Sequence, residues 1–124
     1  MKKIMVVDDN RSIREMFRAL LREWEYQPVL MESGKEAIYY MKEHVPDIII
    51  TDYNLGGWPS GIDIANFAKQ SNIPVIMLSA NENAAILADK EGIPFLMKPP
   101  NFLELMGVIE KELLKKGGDG LCVM

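Results

Sequence analysis

Strand-like and helix-like patterns alternate along this chain from end to end, and that alternation restricts its fold to very few architectures. Apolar runs of strand length occur at residues 3–8, 27–31, 47–51, 74–78 and 94–97. After the first, Ile13, Met16, Phe17, Leu20, Leu21 and Trp24 recur at helical spacing, which predicts an amphipathic helix over residues 11–24. Ser33 with Glu36 has capping-box spacing and predicts a helix ending near His44, because Pro46 disfavours helix at Val45. Helices are also predicted over residues 61–70 and 82–91, and again after Asn101, where Glu104 completes a capping pattern and Leu105, Met106, Ile109 and Leu113 form the stripe. Ile48-Ile49-Ile50 does not alternate with polar residues, as expected of a strand covered on both faces. Five βα units in succession predict an α/β fold, a parallel sheet with helices on both faces and right-handed crossovers.

The residues that end the strands carry the chemistry. Asp8-Asp9 follows the first run, Asp52 the third, Ser79 the fourth and Lys98 the fifth. A parallel sheet places all its carboxyl ends on one edge, so these side chains converge where ligands bind in open sheets. Two or three carboxylates there suit Mg²⁺, a hard ion that takes oxygen ligands and retains several waters. A hydroxyl and an ammonium suit a phosphoryl group. One acid at a strand end is ordinarily a solvated loop residue, and Ser79 alone reads as a cap for the helix after it. The set of five is what points to a site.

Composition narrows the partners. At 124 residues the chain has the length of one domain. Eighteen acids against 14 bases give a net charge of −4, which argues against direct binding to nucleic acid. No apolar run approaches a membrane span, and the N-terminal one is too short for a signal peptide. The single cysteine, Cys122, excludes an internal disulfide framework. A cytoplasmic protein with no membrane partner is the expectation.

With these residues in place the chain resembles the receiver domain of two-component response regulators, over residues 2–116. Asp8-Asp9, Asp52, Ser79-Ala80 and Lys98-Pro99, each on its proper strand, carry the resemblance. It implies a doubly wound, flavodoxin-like five-stranded sheet of order 2-1-3-4-5 with five helices. It implies a receiver domain at residues 1–116 and a flexible tail at 117–124. Asp52 would be the phosphoacceptor, with a histidine kinase or histidine phosphotransfer protein as donor. Asp9 and Asp52 would ligate Mg²⁺ through their side chains, Asn54 through its backbone carbonyl, and Asp8 through water. Ser79 and Lys98 would bind the phosphoryl group. Phe95 matches an aromatic switch position, and the readout face would be the fourth helix, fifth strand and fifth helix, offered to a downstream protein. Self-phosphorylation and autodephosphorylation on Asp52 are implied, not turnover of a substrate.

The chain departs from the family pattern in two places. Gly56 stands where the family usually has proline, and Gly61 comes one residue late, so the loop Gly56-Gly57-Trp58-Pro59 is longer. The stretch from Ser79 to Lys98 is a few residues short. Alternatives are a receiver cut from a longer regulator or hybrid kinase, and an interaction module that is never phosphorylated. The intact site argues against the second. A flavin binder needs a Ser/Thr/Gly-rich phosphate loop after the first strand, where this chain has Asp8-Asp9-Asn10-Arg11. An aspartate-nucleophile phosphatase has Asp-x-Asp after its first strand, and the acids here are adjacent.

Overall fold

The computed structural model describes the backbone of residues 1–121 and side chains through Lys115. Its elements are β1 (Lys3–Val7), α1 (Arg11–Glu23), β2 (Gln27–Met31), α2 (Gly34–Met41), β3 (Ile48–Asp52), α3 (Gly61–Lys69), β4 (Val75–Ser79), α4 (Glu82–Lys90), β5 (Phe95–Met97) and α5 (Phe102–Leu121). The strands form one parallel sheet in the order β2-β1-β3-β4-β5. This is the expected flavodoxin-like topology.

The non-alternating strands are explained by two apolar layers. Met5, Val7, Ile49, Val75 and Met77 pack under α2, α3 and α4, meeting Ala37, Ile64, Ala68 and Ala88. Ile4, Val6, Ile48, Ile50, Ile76 and Leu78 point to the other face and meet Phe17 and Leu21 of α1 and Leu105, Met106 and Ile109 of α5. Each fully buried isoleucine or leucine contributes roughly 1.5–3 kcal/mol relative to exposure. With both faces covered, the buried residues Ile4–Val7 of β1 and Val75–Leu78 of β4 are all apolar.

Several boundaries move. β3 and β4 each run one residue further than their hydrophobic runs, so Asp52 and Ser79 are the last strand residues. α2 ends at Met41, short of His44. There the bonds from Lys42 N–H to the Tyr39 carbonyl and from Glu43 N–H to that of Tyr40 tighten the chain into a turn. His44 stacks on Tyr40 with ring centroids 4.8 Å apart. α4 has nine residues, Glu82–Lys90. The tail expected from Gly117 onward falls on residues whose side chains, and from Cys122 also whose backbone, lie outside those described. No helix of the described residues is long and apolar enough to cross a membrane.

Candidate functional site

Sheet register assembles the site. The ladder continues one step past the strands: Asp8 N–H donates to the Met31 carbonyl (3.1 Å), Tyr53 N–H to Leu78 (2.9 Å) and Lys98 N–H to Ser79 (3.0 Å). Val7 pairs with Thr51, so Asp8 and Asp52 are neighbours across the β1–β3 boundary. The chain winds outward in opposite directions from that boundary, which leaves a crevice at the carboxyl edge.

Asp8, Asp9 and Asp52 converge there, each offering a carboxylate oxygen, and these oxygens lie within 4.8 Å of one another. Asp8 is buried at 2% exposure, and both its oxygens are engaged. Asn10 N–H donates to Oδ1 (2.9 Å) and Lys98 Nζ to Oδ2 (2.9 Å). Asn10 in turn caps α1, its side chain accepting from Ile13 N–H. Asp52 accepts from Asn54 N–H at Oδ1 (3.2 Å) and from Lys98 Nζ at Oδ2 (3.0 Å). Lys98 thus sits between two acids from different strands. Asp9 is exposed.

The electrostatics are set by burial. It pushes the Asp52 carboxyl above its ordinary value, and the bonds from Lys98 and Asn54 do not fully offset it, with the Asp8 charge adding to the rise. Burial pulls the Lys98 ammonium down, but its bonds to Asp8 and Asp52 outweigh that and leave it raised. The two directions are consistent because one ammonium is shared between two carboxylates: the cation gains both, and each anion has only part of a partner.

Ser79 is buried, and its Oγ accepts from Asn81 N–H (3.0 Å). Asn81, not Ser79, caps α4, accepting from Asn83 N–H (2.8 Å). Ser79 is therefore free of the capping role. Phe95 is half-buried at the start of β5 and packs against the layer under α2, α3 and α4.

The loop after Asp52 is pinned at both ends. Asn54 Oδ1 accepts from Gly56 N–H (3.0 Å), and Gly61 N–H donates to the Tyr53 carbonyl (3.1 Å). Gly61 cannot carry a side chain: a Cβ would lie 2.5 Å from the Asp52 carbonyl oxygen and 2.8 Å from Met77 Sδ. Gly34 of α2 meets the Pro59 carbonyl in the same way. Trp58 is 75% exposed, so it does not pack over the site.

Several contributors escaped the sequence reading. Ser60 and Asp63 form a reciprocal capping box at α3. Its S-x-x-D spacing was the available signal. Asn10 and Asn81 are visible in retrospect as caps one and two residues after the strand-end polar residues. Arg14, which touches the Asp8 backbone, left no signal apart from its position one residue beyond Ile13. A cleft of about 760 Å³ lies at the opposite edge of the sheet, by Pro74 and Pro94, and takes no part in this site.

This arrangement of sheet and acidic pocket defines a class of signalling domain, and the comparisons agree. The model of the response regulator receiver domain matches residues 4–110, and the chain belongs to that family. It is 35% identical to the transcriptional regulatory protein ZraR of Escherichia coli over 115 residues, 89% of this chain and 26% of that protein. It is 29% identical to the DNA-binding response regulator MtrA of Mycobacterium tuberculosis, covering 90% of this chain and 50% of that one. The chain therefore spans a quarter to a half of these relatives. A response regulator receiver domain protein from Clostridium thermocellum superposes with a TM-score of 0.84 at 28% identity, over 94% of this chain and 98% of that one.

Proposed function

We propose that this receiver domain accepts a phosphoryl group on Asp52 from a histidine kinase or histidine phosphotransfer protein, with Mg²⁺ bound, and signals through the face formed by α4, β5 and α5. The observation that carries the reading is Lys98 Nζ held between Asp52 and Asp8 beside the acidic crevice. A cation already seated against the acceptor is placed to meet the phosphoryl oxygens once they arrive.

The donor set fits Mg²⁺: three carboxylates from two strands converge on one small volume. Asp9 and Asp52 would hold the ion directly, together with the Asn54 carbonyl. Asp8 acts through water, consistent with both its oxygens being engaged already. The bound ion supplies neutralisation of charge on the phosphoryl oxygens. A carboxylate oxygen of Asp52 attacks phosphorus in line with the leaving nitrogen. The new P–O bond forms as the P–N bond breaks, and the imidazole leaves and takes up a proton. Asp52 needs no general base, because a carboxylate oxygen carries no proton that must be removed before it attacks. Lys98 then exchanges Asp52 for the phosphoryl group, and Ser79 gives up its bond from Asn81 to donate to a phosphoryl oxygen. Displacement of Ser79 makes room for Phe95 to turn inward. Both arrangements pre-exist, and phosphorylation shifts their balance. The readout face already exposes apolar side chains, among them Ile86, Leu87, Met97, Phe102 and Leu103.

The test is acetyl phosphate with Mg²⁺ followed by intact mass, on wild type and Asp52→Asn, with beryllofluoride binding as a second probe. Wild type should gain one phosphoryl group only with Mg²⁺, and the variant none. Labelling that survives in Asp52→Asn, or wild type that takes neither acetyl phosphate nor beryllofluoride, rules the assignment out.

A further inference from the structure

The chain's four arginines, Arg11, Arg14, Arg18 and Arg22, all lie in α1, and Arg14 is turned inward. Its side chain is 15% exposed. Nη1 donates to the Asp8 backbone carbonyl at 2.8 Å, and Nη2 lies 3.8 Å from Glu32 just past β2. The carbonyl it holds belongs to the peptide that joins Asp8 to Asp9. Fixing that carbonyl fixes the peptide plane, and so fixes where the Asp9 backbone starts. Asp9 depends on this more than its neighbours do. Asp8 and Asp52 each have both carboxylate oxygens bonded, whereas among the described residues the Asp9 carboxylate has no hydrogen bond or ion pair.

We infer that Arg14 is a positioning residue for Asp9, clamping the Asp8–Asp9 peptide so that the Asp9 carboxylate stays directed at a cation shared with Asp52. The inference rests on the reading of this triad as a Mg²⁺ site. It makes a claim about sign. By charge alone, a guanidinium near three carboxylates opposes a divalent cation, so its removal should tighten Mg²⁺ binding. By positioning, its removal should weaken binding, as loss of a group that orients a metal ligand does.

The experiment is a MgCl₂ titration followed by the backbone amide resonances of Asp9, Asn10 and Asp52 in two-dimensional NMR. Wild type, Asp9→Asn, Arg14→Met, Arg14→Lys and Glu32→Gln are compared without any phosphodonor. Arg14→Met should raise the Mg²⁺ Kd roughly tenfold, the lower end of the range for lost orienting groups. Arg14→Lys, which keeps one donor in reach of the carbonyl, should recover much of that loss. Glu32→Gln should match wild type, since Glu32 is an exposed, distant partner. Should Arg14→Met not fold, Arg14→Gln takes its place, a neutral side chain that stops short of the guanidinium. Binding by the neutral variant as tight as wild type or tighter overturns the inference, and so does a loss in Glu32→Gln equal to that in the neutral variant. If wild type shows no Mg²⁺-dependent shifts, or Asp9→Asn binds as wild type does, the metal reading itself fails and takes this inference with it.

Discussion

At the scale of single residues the site is a balance between one ammonium and two acids, Asp8 buried and Asp52 half-buried. Removing Lys98 leaves the Asp8 side chain at 2% exposure with only the Asn10 N–H as partner. Lys98→Met should therefore cost about 3 kcal/mol at neutral pH, measured by urea unfolding, as loss of one member of a buried pair does. Asp52 carries the opposite sign. Its folded-state value is raised, so its ionisation opposes folding above the ordinary carboxylate range. Asp52→Asn should melt higher than wild type at pH 7. The gap should close as pH falls through the raised value toward about 4, where the wild-type carboxyl takes up its proton in both states. A gap independent of pH would show that burial of charge is not its cause. Gly61 is fixed by space: the Cβ of Gly61→Ala collides with the Asp52 carbonyl and Met77, and should cost about 1–3 kcal/mol, as overpacking does. It should also slow acetyl phosphate labelling, because the acceptor's own backbone must shift.

Elements were legible where a pattern is local. Apolar runs of strand length locate the strands, and helical stripes mark α1 and α5, because a helix needs one apolar face and a doubly covered strand needs two. Ends were less legible, since they depend on partners elsewhere. Asp52 and Ser79 belong to their strands because Leu78 and Met97 lie opposite them, and those pairings exist only once the sheet forms. In α2 the Ser33–Glu36 box is half made. Ser33 Oγ accepts from Glu36 N–H, but Glu36 reaches back to Glu32 N–H (2.7 Å) instead of its cap residue. In α3 the box is complete, with Asp63 Oδ2 accepting from both the backbone N–H (2.8 Å) and the hydroxyl (2.9 Å) of Ser60. Ser60→Ala should then destabilise by about 1 kcal/mol, the usual cost of a lost N-cap, in thermal unfolding. Ser33→Ala should cost less, because the Ser33 hydroxyl makes one hydrogen bond, from Glu36 N–H, where that of Ser60 makes two. The convergence of Asp8, Asp9, Asp52, Ser79 and Lys98 was readable for a simple reason: parallel strands put their carboxyl ends on one edge. Arg14 was not, because its two partners, the Asp8 carbonyl and Glu32, come near only through the β1–β2 pairing.

For the whole molecule, crowded acids and ion binding are linked. A ligand that binds only the folded state stabilises it by an amount set by its concentration over Kd. Wild type should gain about 1.4 kcal/mol in MgCl₂ at tenfold over Kd, and EDTA should reverse the gain. Asp9→Asn should show little of it. A gain of equal size in NaCl at matched ionic strength would mean screening of the net charge of −4, not binding at the site.

The loop after Asp52 has a practical use. Its two ends are joined by Gly61 N–H against the Tyr53 carbonyl and Pro59 lies against Gly34, yet at Gly56 and Gly57 a Cβ would meet nothing within 4 Å. Its tip is therefore a place to graft a tag. A fluorophore-bearing cysteine or a short epitope inserted between Gly57 and Trp58 would extend into solvent, with both anchors keeping the acceptor in register. That would give a reporter a few residues from the chemistry without touching a residue that performs it.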